Sequence, residues 1–189
     1  GAETILRAVL EQDPNMSDAL LWLGTALDLQ GRRDQAFEVL QRGARVDPLH
    51  PSIAANLADE LWGRGKLEQA VEGLERQLEQ PNPGFGPYVA LSSMYRAMGR
   101  LVDLHALGRR HALRLVMSHE YLAMTYALLG DMNAARYWQE RSPRDFPDHP
   151  YRRFSAAVPP AWQGDHDRAV RMFQEGLDAS GIDVAGHDT

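Results

Sequence analysis

Apolar residues recur along this chain at spacings of three and four, in stretches of about a dozen residues separated by glycine or proline, which is the pattern of amphipathic helices. Leu20, Leu23 and Leu27 form one such stripe, and Leu57 with Leu61, Leu91 with Tyr95, and Leu122 with Tyr126 continue the series. The stretches end near Gly31, Gly65, Gly99, Gly130 and Gly164, which are 34, 34, 31 and 34 residues apart. A glycine after a helical run supplies a left-handed residue that lets the chain reverse at low strain. Five residues beyond each glycine stand Ala36, Ala70, Leu104, Ala135 and Ala169, and seven before it stand Gly24, Ala58, Ser92, Ala123 and Ala157. Small side chains at these offsets are expected where two antiparallel helices cross closely. The second helix of a cycle then runs into proline, at Pro48, at Pro81 and Pro83, and at Pro147, because proline cannot continue the backbone ladder. Each cycle therefore reads as a helical hairpin.

The segment LLWLGTALDLQGRRDQAFEVLQRGARVDP puts Leu20, Leu23, Gly24, Leu27, Ala36, Leu40 and Pro48 at the marked positions of a 34-residue pattern. The chain thereby resembles the tetratricopeptide-repeat family. The resemblance implies an all-α, right-handed α-solenoid of antiparallel hairpins. It frames the repeats as 17–50, 51–84, 85–115, 116–149 and 150–180, preceded by the second helix of a truncated repeat over 1–16 and followed by a polar tail over 181–189. An array opening on half a repeat reads most simply as a piece of a longer protein, the alternative being that an open end docks against another chain.

Two places depart from the pattern. The third cycle is three residues short, carries Leu104 where alanine is expected, and has Gly108 and His111 at packing positions; an internal glycine costs about 1 kcal/mol relative to alanine, so a weak helix is expected there. In the fifth cycle Pro159 and Pro160 stand inside the first helix, where each proline removes a backbone donor at a cost of ~3 kcal/mol, so the helix should kink or stop near Val158. Degeneration of a terminal repeat is favoured over a shaped pocket end as the explanation.

Composition narrows the chemistry. The 189 residues are 44% hydrophobic and 24% charged, as in a soluble globular chain, and the longest apolar runs are about half the ~20 residues of a membrane span. There is no cysteine, hence no disulfide, thiolate nucleophile or Cys-based metal site. The net charge of −6 arises in residues 1–95, with 8 basic and 14 acidic side chains, whereas residues 96–189 carry 12 of each. Arginine outnumbers lysine 19 to 1, which hints at a GC-rich bacterial source. The compartment stays open, the cytoplasm being the favoured reading.

No catalytic constellation is present, and no cofactor is expected. GRGKL at 63–67 lacks the first glycine and the terminal Ser or Thr of a phosphate loop and is read as a hairpin turn; GFG at 84–86 has no third glycine. His105 and His111 are six apart and face different sides of a helix, while Asp165-His166-Asp167 is better explained as helix-capping chemistry than as a metal site. Arg109, Arg110 and Arg114 lack interleaved aromatics, so nucleic acid is not expected as a partner, nor is a membrane.

The family resemblance implies a concave binding surface, lined at repeat positions 2, 5, 9, 12 and 13. Carried onto this sequence, those positions give Leu21, Thr25, Asp28 and Leu29, then Ala55, Asp59 and Trp62, then Val89, Ser93 and Arg96, then Met117, Glu120 and Met124, and finally Tyr151, Phe154, Val158 and Trp162. Asn56 fits one position of the five-residue clamp with which some family members grip chaperone C-terminal carboxylates, but Leu21, Thr25, Gly86 and Ala90 occupy the other four, so that ligand is disfavoured. The expected function is a non-catalytic protein- or peptide-binding scaffold. The alternatives are a regulatory or partner-sensing arm of a larger enzyme or transcription regulator, and a homo-oligomerisation module acting through open array ends.

Overall fold

The structure, a computed structural model, describes residues 1–112, 116–147 and 164–180. The regular elements among them are all helices: α1 (Ala2–Gln12), α2 (Ser17–Leu29), α3 (Arg33–Val46), α4 (Pro51–Gly63), α5 (Leu67–Leu78), α6 (Gly86–Ala97), α7 (Leu101–His111), α8 (Val116–Leu128), α9 (Met132–Asp145) and α10 (His166–Ser180). The all-α reading holds. Pro159 and Pro160 lie outside the described residues. The chain divides into two compact units, residues 1–98 and 99–189, and the boundary falls in the short third cycle, so that α6 and α7 belong to different units.

In the first unit α2 packs on α3 and α4 on α5, while α4 also lies against α2, α3 and α6, and α6 against α5. The result is a layer of α2, α4 and α6 beside a layer of α3 and α5, with α1 packed on α2. The core follows from the apolar stripes. Leu23, Leu27 and Ala36 form one buried cluster, covered by Leu6 and Leu10 from α1 and by Val39. Leu21, Leu40 and Ile53 form the next, flanked by Ala44 and Leu57. Each buried leucine or isoleucine contributes about 1.5–3 kcal/mol relative to exposure.

The hairpin turns are closed as the glycine spacing implied. All five spaced glycines take positive φ, between 69° and 80°. At the first turn the Gly31 N–H donates to the Asp28 carbonyl at 2.8 Å and the Arg32 N–H to the Leu27 carbonyl at 2.9 Å, and Gly65 and Lys66 repeat the pair on Trp62 and Leu61, both at 2.9 Å. These two bonds satisfy carbonyls that a helix end otherwise leaves open. The turn at 64–66 is thus the role of the GRGKL stretch.

Small residues set the helix spacing. A Cβ placed on Gly24 would stand 2.7 Å from Leu40 Cγ, so α2 and α3 sit closer than any side chain at this crossing allows. Ala36 and Ala70 are fully buried and Ala58 nearly so. Arginines at the turns tie neighbouring repeats by surface ion pairs, Arg32 to Glu3 at 2.7 Å and Arg64 to Asp34 at 2.9 Å, of the solvent-screened kind that adds little to stability.

In the second unit α8 packs on both α7 and α9, around Ala112, Leu122, Ala123, Trp138 and Tyr126. Gly108, expected from the sequence to be a weak point, has a packing role. A Cβ there would stand 2.7 Å from Leu122 Cγ, so the missing side chain is replaced by a leucine from the neighbouring helix. His119 is fully buried, with the Trp138 and Phe146 rings each 5.2 Å from its own. Burial pushes its pKa down, opposed by the Asp145 carboxylate 3.6 Å from Nε2.

The two kinds of mid-helix glycine should be separable by mutation. Gly24→Val forces Leu40 aside and should cost about 1–3 kcal/mol by overpacking. Gly73, within α5, faces open space, so Gly73→Ala should instead stabilise by up to about 1 kcal/mol through helix propensity. Urea unfolding followed by circular dichroism reads both.

Candidate functional site

The layer of α2, α4 and α6 carries eleven of the residues singled out for a binding surface by sequence, Leu21, Thr25, Asp28, Leu29, Ala55, Asn56, Asp59, Trp62, Val89, Ser93 and Arg96, all within the first unit. Glu120 and Met124 are half-buried on α8, in the second unit. Tyr151, Phe154 and Trp162 lie outside the described residues, as does Val158. The candidate site is therefore confined to residues 1–98.

One assignment needs correction. Leu21 is only 6% exposed and is packed on Leu40 and Ile53, so it is a core side chain. The residue beside it, Trp22, is 59% exposed. In the unbroken apolar run Ala19–Leu23 periodicity alone did not say which side chain points out. On a helix, residues three and four apart share a face, which puts Trp22, Thr25 and Leu29 on one stripe of α2, with Leu29 83% exposed.

Two of the polar candidates are partly engaged within their own helices. The Thr25 hydroxyl donates to the Leu21 carbonyl at 3.0 Å, and the Asn56 side-chain amide donates to the Ser52 carbonyl at 2.9 Å. Both keep acceptor capacity for a ligand. Trp62, Val89 and Ser93 are half-buried and Arg96 is exposed.

The chemistry of the face is concentrated where α2 meets α4. Asp28, near the C-terminal end of α2, faces Asp59 and Glu60 on α4. Asp59 is an exposed residue, but the protein packed around its carboxylate partly desolvates it and raises its pKa, and the nearby Asp28 carboxylate raises it further. Glu60 is 8% exposed; burial again raises its pKa most, Asp28 adds to the rise, and Arg64 at 3.5 Å opposes it. Arg33 approaches Asp28 at 3.5 Å, with both side chains largely in solvent. Asp59 has no ion-pair partner among the described residues. Glu60 was not singled out from sequence, because an acid at a buried helix position is invisible until the neighbouring helix is placed.

The other candidate chemistry has structural roles. The Asp165 carboxylate accepts the Arg168 N–H at 3.2 Å, capping α10. His105 Nε2 meets the Tyr126 hydroxyl at 2.8 Å, and His111 is buried. The Arg109 guanidinium lies 5.4 Å over the Trp138 ring. A depression of about 250 Å³ on α9, lined by Tyr137, Glu140, Arg141, Arg144 and Asp145, has its Arg141 already paired to Asp145 at 2.7 Å and to the Tyr137 hydroxyl at 2.6 Å. Among the described residues no group of three or more acidic or histidine side chains could hold a metal ion, and no helix is long and apolar enough to cross a membrane.

Residues 1–58 match the family model described as tetratricopeptide repeat. Among curated proteins nothing matches the chain. Solved structures similar to it include TTC0263, a thermophilic TPR protein of Thermus thermophilus, with 23% identity over 89% of this chain and 94% of that one and a TM-score of 0.60. Over residues 1–58 the chain is thus similar to tetratricopeptide repeats. YrrB, described as a TPR protein with an unusual peptide-binding site, is 12% identical over 96% of this chain and 93% of that one, with a TM-score of 0.53. The Cut9–Hcn1 hetero-tetramer of the APC/C matches over 93% of this chain but 36% of that one, at 13% identity and a TM-score of 0.63. Identities this low establish the fold alone.

The raised carboxylates have a measurable consequence. A carboxylate whose folded pKa lies above its ordinary value binds its proton more readily in the folded state, so its charged form weakens the fold at neutral pH and the penalty is relieved on acidification. Asp59→Asn should therefore raise the thermal midpoint at pH 7, and the gain should vanish below the ordinary aspartate value of 3.8, where the wild-type side chain is protonated in both states. Thermal unfolding of both proteins from pH 3 to pH 8 tests this.

Proposed function

We propose that the chain is a non-catalytic scaffold that receives a protein or peptide segment on the face of α2, α4 and α6. The observation that carries this reading is the exposure of Trp22 and Leu29 on one stripe of α2, in the same layer as the half-buried Trp62. Large apolar side chains grouped on a surface and rimmed by polar ones mark interaction sites, and aromatic anchors dominate binding energy in such interfaces. Apolar contact supplies affinity, and Thr25, Asn56, Ser93 and Arg96 supply polar edges that fix a ligand's register. The fold supports the reading in general terms, since stacked repeats present an extended surface on their inner helices, and the similar protein YrrB is itself described as having a peptide-binding site.

The reading predicts where a partner can be captured. With a photoreactive benzophenone side chain at position 22, light should produce a cross-linked adduct in cells that express the chain. The same probe at Glu72, exposed on α5 of the other layer, should give at least fivefold less. Equal adducts at the two positions, or adducts at 72 alone, would contradict it.

A further inference from the structure

The face just described has a marked charge, which constrains what can dock on it. Its three helices, α2, α4 and α6, carry four acidic residues, Asp18, Asp28, Asp59 and Glu60, against one basic residue, Arg96. The adjacent α3 reverses the balance, with Arg33, Arg42 and Arg45 against Asp34 and Glu38. With α5, which carries Glu68, Glu72 and Glu75 against Arg76, that layer has five acids and four bases, so the larger acidic excess, four to one, lies on the side that also exposes Trp22 and Leu29. Asp18 is occupied by His50 at 3.2 Å and Glu60 by Arg64 at 3.5 Å. Asp28 shares a side-chain hydrogen bond with Glu60, and its one cation is the largely solvent-exposed Arg33 at 3.5 Å, an ion pair of the weak and readily exchanged kind. Asp59 has no cation at all among the described residues.

We propose that the segment received by this face presents a lysine or arginine next to an apolar side chain, with the cation seated at Asp28 and Asp59 and the apolar group lying on Trp22 and Leu29. This rests on the reading of the α2, α4 and α6 layer as the binding face. A cation at that point replaces carboxylate repulsion with charge-assisted hydrogen bonds, which are about twice as strong as neutral ones. The methylene stem of lysine or arginine can cover exposed apolar surface while its head stays with the carboxylates, and tryptophan faces attract cations directly. An acidic segment or a nucleic-acid backbone would meet charge of its own sign.

A phage-displayed library of random decapeptides, selected on the full chain at about 0.15 M salt, tests the proposal when run beside two folded variants, Trp22→Ala and Asp28→Asn/Asp59→Asn. Peptides enriched on the wild type should contain lysine or arginine beside an aliphatic or aromatic residue. A synthetic copy of one should bind about tenfold more weakly to each variant, and its affinity for the wild type should fall as salt rises. Enriched peptides that lack basic residues, that are weakened by Trp22→Ala, and that bind the double Asn variant as tightly as the wild type would overturn the cation proposal while leaving the binding face intact. Failure to enrich any peptide, or enriched peptides indifferent to Trp22→Ala, would overturn the face and the proposal together.

Discussion

The close approach of α2 and α3 at Gly24 is the constraint on which the rest of the first unit depends. With Leu40 Cγ only 2.7 Å from where a Cβ would be, the two helices meet without an intervening side chain, and Leu40 fills the space next to Leu21 and Ile53. That contact fixes how α2 is rotated. Leu20, Leu23 and Leu27 are turned inward to near-complete burial, and the opposite stripe, with Trp22 and Leu29, has no place to go except outward. The exposed face proposed for binding is a geometric consequence of packing on the other side of the same helix.

A second constraint is electrostatic. Three carboxylates meet where α2 passes α4, and two of them hold raised pKa values because burial and mutual repulsion both oppose ionisation. A chain selected for stability alone would place an amide or a salt-bridged pair here. Sites kept at some cost in stability are commonly those that do work in binding, and this one adjoins the largest exposed apolar side chains of the layer.

Much of the fold was legible in the sequence because its determinants are local and periodic. The spaced glycines announced their positive φ values by position, and the flanking alanines announced the buried crossings. Other features depend on which helices become neighbours. Leu21 and Trp22 are consecutive apolar residues, and only the placement of Leu40 and Ile53 decides that the first is core and the second is surface. Gly108 looked like a weak residue until Leu122 from the next helix was seen to occupy its space. Glu60 gave no signal, since its Arg64 partner four residues on is an ordinary helical pair, and only the placement of α2 brings Asp28 beside it. Gly84 likewise takes a φ of 67° in the α5–α6 connection, outside the 34-residue spacing that revealed the others.

The central claim is that the α2, α4 and α6 face stands open in the free protein. The four tryptophans allow a direct measurement, nuclear magnetic resonance of the indole signals in the presence of a dissolved paramagnetic probe. Trp22 should broaden strongly, with little effect on Trp138, which is 5% exposed. Protection of Trp22 to the level of Trp138 would mean that the face is already covered in the free chain, and would contradict the account.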